Sequence, residues 1–179
     1  MEKTMGRQVR SGDRVKTLVL TAVVAAMACA ATLAVQIPSP TGGYLNLGDA
    51  VVLLGAYLLG PGWGAAAGAV GPALADLMTY PAYVPATLLI KAVMGLAAGT
   101  LYSRLRTRGW GALVCGIVGE IPMVAGYWLY DALLVGSLAG SAAGVPANLV
   151  QAVFGVAVST LLATALRRSS YVRREFPRL

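Results

Sequence analysis

Between residues 17 and 166 the chain alternates long apolar runs with short segments rich in Pro, Gly and uncharged polar residues. A helix needs about 20 predominantly apolar residues to cross a bilayer, and residues 17–35 meet that length. Residues 36–46 carry no charge and contain Pro38, Pro40, Gly42 and Gly43, so they break the helix and form a loop. The next run, 47–60, is short, and Gly60, Pro61 and Gly62 turn it tightly into residues 63–79. A second loop, 80–85, holds Tyr80 and Tyr83, aromatics suited to a membrane interface. A fourth run spans 86–102. The fifth, 110–138, is long enough to be tilted or to begin as an interfacial segment before Pro122. A small-residue loop, 139–145, leads to the last run, 146–166. The pattern predicts an all-α integral membrane protein with about six transmembrane helices. A re-entrant hairpin over 47–79 would put the basic clusters that flank it on opposite sides, so six spans is the better count.

Charge orients this bundle. Thirteen of the fourteen Lys and Arg residues fall in three clusters: Lys3, Arg7, Arg10, Arg14 and Lys16; Arg104, Arg106 and Arg108; and Arg167, Arg168, Arg173, Arg174 and Arg178. Cytoplasmic loops collect Lys and Arg, so both termini are expected in the cytoplasm. Residues 1–16 then form a basic N-terminal segment, 17–166 the membrane domain and 167–179 a basic tail. The apolar run 17–35 exceeds the roughly 7–15 residues of a signal-peptide core and is followed by further spans, so it reads as a first membrane helix. The pattern is that of a multi-pass membrane protein.

Composition agrees with this class: 58% hydrophobic and 12% charged, with mean hydropathy +0.72. A net charge of +7 could indicate nucleic-acid binding. The basic clusters flank apolar spans without interleaved aromatics, so they mark topology and contact with anionic lipid, and no nucleic acid is expected. The absence of His removes imidazole bases and His-ligated metals. Cys29 and Cys115 sit in different apolar runs and read as small buried residues, with no disulfide expected.

Ionisable residues inside membrane spans are costly, about 2.5–3.5 kcal/mol each on insertion scales, and mark function. The chain has Asp49, Asp76, Lys91, Glu120 and Asp131 in such positions. Helical spacing puts Glu120, Tyr127 and Asp131 on one stripe of the fifth span. Asn148, Gln151, Gly155 and Ser159 share a stripe in the sixth, and Thr87 and Lys91 share a face of the fourth. Their convergence would create an outward-opening, semi-polar pocket roofed by loop 36–46, with Tyr127 or Trp128 available to stack on a ring. The same groups could instead neutralise one another: Lys91 with Asp76, Asp131 or Glu120, and Asp49 as a cap for the second helix at the membrane edge. A separate stripe of small residues, Ala22, Ala26, Ala30 and Ala34, smooths one flank of the first helix. It suits either packing within the chain or docking of a partner membrane subunit at Ala22, Ala26 and Ala30. The chain carries no nucleotide-binding loop, metal-ligand cluster or nucleophile motif, so neither an enzyme nor a cofactor is expected, and energised transport would need a partner.

Several runs together resemble a known family. They comprise Ile37 and Pro38; Gly42, Gly43, Tyr44, Leu45, Asn46, Leu47, Gly48, Asp49, Ala50 and Val51; Leu59, Gly60, Pro61, Gly64 and Gly68; and Leu74, Ala75, Asp76 and Leu77. Pro85, Ala86, Thr87, Lys91, Met94 and Gly95 follow, then Gly119, Glu120, Gly126, Tyr127, Pro146, Asn148, Gln151 and Gly155. This order and spacing resembles the S components of energy-coupling factor (ECF) vitamin transporters, in the riboflavin-transporter-like branch that includes hydroxymethylpyrimidine- and pyridoxine-type members. Asp131 departs from the residue expected at that position in many relatives. The resemblance implies a six-helix substrate-binding subunit with an exterior-facing pocket and a gating first loop. It also implies toppling in the membrane during import, and assembly through the Ala-rich first helix with a transmembrane coupling subunit and two ATPases. The ligand is expected to be a small vitamin-like ring compound held by Asn46, Thr87, Lys91, Glu120, Tyr127, Asp131, Asn148 and Gln151. The competing possibility is an autonomous proton-coupled permease using Glu120 and Asp131, although no inverted repeat joins the two halves.

Overall fold

Every apolar run becomes a helix. The computed structural model describes residues 11–179; Lys3, Arg7 and Arg10 of the first basic cluster lie outside the described residues. The long elements are α1 (Ser11–Ala34), α2 (Gly48–Leu59), α3 (Pro61–Thr79), α4 (Val84–Leu105), α5 (Gly111–Val135) and α7 (Val145–Leu166), with short helices α6 (Leu138–Ser141) and α8 (Ser170–Glu175). The helical segments Arg14–Ala34, Pro81–Leu105, Gly111–Val135 and Leu138–Leu166 are long and apolar enough to cross a membrane. Three local expectations change. Helix α5 runs unbroken through Pro122, so no separate interfacial segment precedes it. Loop 36–46 closes on itself as an antiparallel hairpin, β1 (Ile37–Pro38) with β2 (Tyr44–Leu45). Segment 139–145 is not plain loop: α6 starts where the Ser137 side chain accepts the Gly140 N–H, and a 3-10 turn, Ala142–Gly144, follows.

Helix α2 is the hub. It is apolar on nearly all sides, which suits a helix buried on all sides, and Val52, Leu53, Ala56 and Tyr57 are wholly buried. It packs against α1, α3, α4 and α7. At its end Gly60 adopts φ +86°, a conformation open to glycine, and Pro61 starts α3 at once. Small residues then let backbones meet. A Cβ on Gly95 would lie 3.0 Å from the Gly64 carbonyl oxygen and 3.1 Å from the Ala65 backbone. Large apolar residues such as Leu89, Leu133, Val153 and Leu161 point outward, as lipid-facing positions should.

The described members of all three basic clusters gather at one end of the bundle. Lys16 forms an ion pair with Glu175 of α8. Arg106 donates to the Pro177 carbonyl at 2.6 Å, and Arg167 donates to the Arg106 carbonyl at 2.8 Å. The hairpin, the 3-10 turn Pro81–Tyr83 and α6 lie together at the opposite end, where Tyr130 donates to the Ala82 carbonyl and Trp128 to that of Leu138.

Candidate functional site

Beneath the hairpin, helices α2, α3, α4, α5 and α7 bring together the groups that their sequence stripes single out. Asp131 of α5 and Asp76 of α3 are 3% and 4% exposed. Each receives two hydroxyl donors. Thr41 and Tyr83 donate to the two oxygens of Asp131, at 2.6 and 2.8 Å. Tyr44 and Thr87 donate to the two oxygens of Asp76, and Tyr127 lies 2.8 Å from the Thr87 hydroxyl. Burial and the adjacent Asp76 push the Tyr44 phenol's pKa up, which keeps it a donor.

A third carboxylate lies deeper. Asp49 forms a buried ion pair with Lys91, whose ammonium also sits 5.4 Å from the centre of the Tyr127 ring. The Gln151 amide donates to the other Asp49 oxygen at 2.7 Å and accepts the Asn46 backbone N–H at 2.7 Å. This corrects two expectations. Lys91 pairs with Asp49 and not with Asp76, Asp131 or Glu120. Asp49 is not a cap at the membrane edge, because α2 is the central helix and its first turn is sunk beneath the hairpin. The Asn46 side chain, at 2.9 Å, satisfies the first N–H of α2 instead.

These groups surround a cavity of about 30 Å³ lined by Ser39, Gly43, Tyr44, Asn46, Asp76, Tyr83, Tyr127, Asp131, Asn148 and Gln151. Of the eight residues named from sequence, Asn46, Tyr127, Asp131, Asn148 and Gln151 line it. Thr87 and Lys91 stand behind the wall: Thr87 is bonded to Asp76 and Tyr127 of the lining, and Lys91 to the deeper Asp49. Glu120 lies lower on α5, buried, with neither carboxyl oxygen hydrogen-bonded. A Cβ on Gly155 would come within 2.6 Å of its Oε1 and 3.0 Å of Asp49 Cβ, so glycine leaves room for both acids. Trp128 turns away from the cavity and lines an apolar groove between α5 and α7.

Sequence reasoning missed Ser39, Tyr44 and Tyr83 as cavity groups and Thr41 as a partner of Asp131, and left Asp76 outside the pocket. The available signal was a charge-free loop rich in hydroxyls beside carboxylates that outnumber the membrane-embedded cations. The small-residue stripe of α1 is exposed: Ala22, Ala26 and Ala30 lie on its outer face, whereas Thr21, Ala25, Ala28 and Thr32 are buried on the other. Chemically, the site presents acceptors, amides and tyrosine rings to an enclosed space, an arrangement for binding.

Comparison with known proteins identifies the family and the fold. The family model described as "ECF-type riboflavin transporter, S component" matches residues 13–168. A Pyrococcus woesei protein, described as an uncharacterized protein in the gap 3' region, is 38% identical over 139 residues, covering 76% of this chain and 92% of its own. Among solved structures, the S component for biotin from an ECF-type ABC transporter superposes with a TM-score of 0.69 at 16% identity, over 93% of this chain and 98% of that one. The S component of a bacterial ECF transporter gives 0.64 at 20% identity, over 87% and 97%. At those identities the structures establish the fold, and the sequence match establishes the family. The chain belongs to the family of ECF-type riboflavin transporter S components, integral plasma-membrane proteins that serve as substrate-binding transport subunits and not as enzymes.

Proposed function

We propose that this chain captures a small vitamin or vitamin-precursor ring in the cavity under the hairpin, for ATP-driven import with a transmembrane coupling subunit and two ATPases. One observation carries the reading: Thr41, Tyr44 and Asn46 of a single loop each bond a group on a different helix around one cavity. Small-molecule pockets usually measure about 300–1,000 Å³, and the cavity here is about 30 Å³. The hairpin therefore swings away to admit a ring and acts as the gate. With the basic end cytoplasmic, residues 1–16 and 167–179 flank a membrane domain of six spans that opens to the outside. The ligand class is a small ring of the hydroxymethylpyrimidine or pyridoxine type; riboflavin and biotin are the vitamins named for the family model and for one solved relative. The exposed Ala22, Ala26 and Ala30 flank supports docking of the coupling subunit.

A binding protein alone shifts populations only by differential affinity, so it cannot concentrate a ligand without an energy source. The purified chain in liposomes, given an imposed proton gradient but no partners, is expected to bind vitamin rings without accumulating them. Accumulation appears only when the coupling subunit, the ATPases and accessible ATP are added. Concentrative uptake driven by the proton gradient alone would instead establish the autonomous permease.

A further inference from the structure

Asp131 and Asp76 share a hydrogen-bond pattern. Ser39 lies 3.2 Å from Thr41, which donates to one Asp131 oxygen, and Tyr83 donates to the other. Tyr127 lies beside Thr87, which donates to one Asp76 oxygen, and Tyr44 donates to the other. In each case a hydroxyl lies within hydrogen-bond distance of both carboxyl oxygens. Hydroxyls are uncharged partners and supply no counter-ion to either acid. Among the described residues lining the cavity there is no Lys or Arg. Lys91, behind the wall, is ion-paired to the third carboxylate, Asp49. Two buried carboxyl groups therefore face one small space, along with the rings of Tyr44, Tyr83 and Tyr127, whose faces attract cations.

We infer that the ligand is a nitrogen heterocycle that brings positive charge or an exocyclic amine to Asp76 and Asp131, and that anionic rings are rejected. This rests on the proposed binding function of the same cavity. When the hairpin lifts, Thr41 and Tyr44 leave with it. One oxygen of Asp131 and one of Asp76 then lose their donors, while Tyr83 and Thr87, outside the hairpin, keep theirs. Two N–H donors, or one protonated nitrogen between the acids, replace the departed hydroxyls. A carboxylate or phosphate on the ligand would meet two acids and no lining cation there, so the acids also act as a filter.

The test is calorimetric binding to the purified full chain in detergent, with four probes: pyridoxamine and 4-amino-5-hydroxymethyl-2-methylpyrimidine as amine-bearing rings, riboflavin as a neutral ring, and biotin as an anion. At least one amine-bearing ring is expected to bind about tenfold or more tighter than biotin. Asp131→Asn and Asp76→Asn should each weaken that binding by about ten- to a hundredfold, as expected when a hydrogen bond to a charged group is lost. Biotin binding as tightly as the amines overturns the charge inference while leaving the binding function intact. So does riboflavin as the tightest probe with unchanged affinity in both Asn variants. No binding of any probe overturns both. The comparison on the unmodified chain decides the question even if a variant fails to fold.

Discussion

Single residues set the energetics of the site, and the Lys91–Asp49 pair is the clearest case. Both side chains are 1% exposed, so removing one partner leaves a buried charge without its counter-ion. Breaking such a pair typically costs about 3–5 kcal/mol. Lys91→Met should lower the thermal unfolding midpoint in detergent sharply. The double variant Lys91→Met/Asp49→Asn should recover most of the loss, because the asparagine carbonyl still accepts from Gln151. A loss below about 1 kcal/mol in the single variant would show that the pair contributes little to stability. Helical spacing made Lys91, Tyr127, Asp131 and Gln151 legible in the sequence as polar members of apolar spans. It could not choose Lys91's partner, because that depends on how far α2 sinks into the bundle. Periodicity likewise grouped Glu120 with Tyr127 and Asp131, yet Glu120 lies below the cavity: a shared stripe says nothing about depth along the helix axis.

At the scale of elements, glycines show where packing is strict. Helices α3 and α4 approach backbone to backbone at Gly95, where a Cβ would be 3.0 Å from the Gly64 carbonyl oxygen and would have no flexible side chain to displace. Gly95→Ala should destabilise the bundle by about 1–3 kcal/mol, the usual range for overpacking. Gly62, also in α3, has nothing within 4 Å of its would-be Cβ, so Gly62→Ala should be neutral or slightly stabilising. Thermal unfolding of the two variants side by side checks the contrast, and equal effects would mean that the α3–α4 contact is looser than described. The helices themselves were readable from run length and from breakers such as Gly60–Pro61. The hairpin was not: two-residue strands are too short for an alternating pattern to register, and the pairing is held by a loop whose donors find acceptors on distant helices.

Across the whole molecule, α1 divides its surface between the bundle and its surroundings. The face carrying Ala22, Ala26 and Ala30 is exposed and smooth, which suits a closely approaching partner helix. Ala26→Trp and Ala30→Trp are expected to abolish uptake in the reconstituted four-subunit complex while leaving ligand affinity of the isolated chain within about twofold, since neither residue touches the cavity lining. Parallel uptake and calorimetry measurements decide this. Binding and uptake falling together would place the stripe's role inside the chain.

The sequence by itself determined the class of protein, the positions of its helices and the gathering of its basic residues. Hydrophobic run length and the cost of burying charge act locally and leave a one-dimensional record. Only the tertiary structure decided which acids are neutralised and which face the cavity. Asp49 finds a cation because central α2 brings it to Lys91. Asp76 and Asp131 find only hydroxyls, four of the six flanking them, Ser39, Thr41, Tyr44 and Tyr83, supplied by loops and the turn before α4. Such long-range hydrogen bonds depend on depth and rotation in the bundle, and the spacing of residues along the chain does not encode either one.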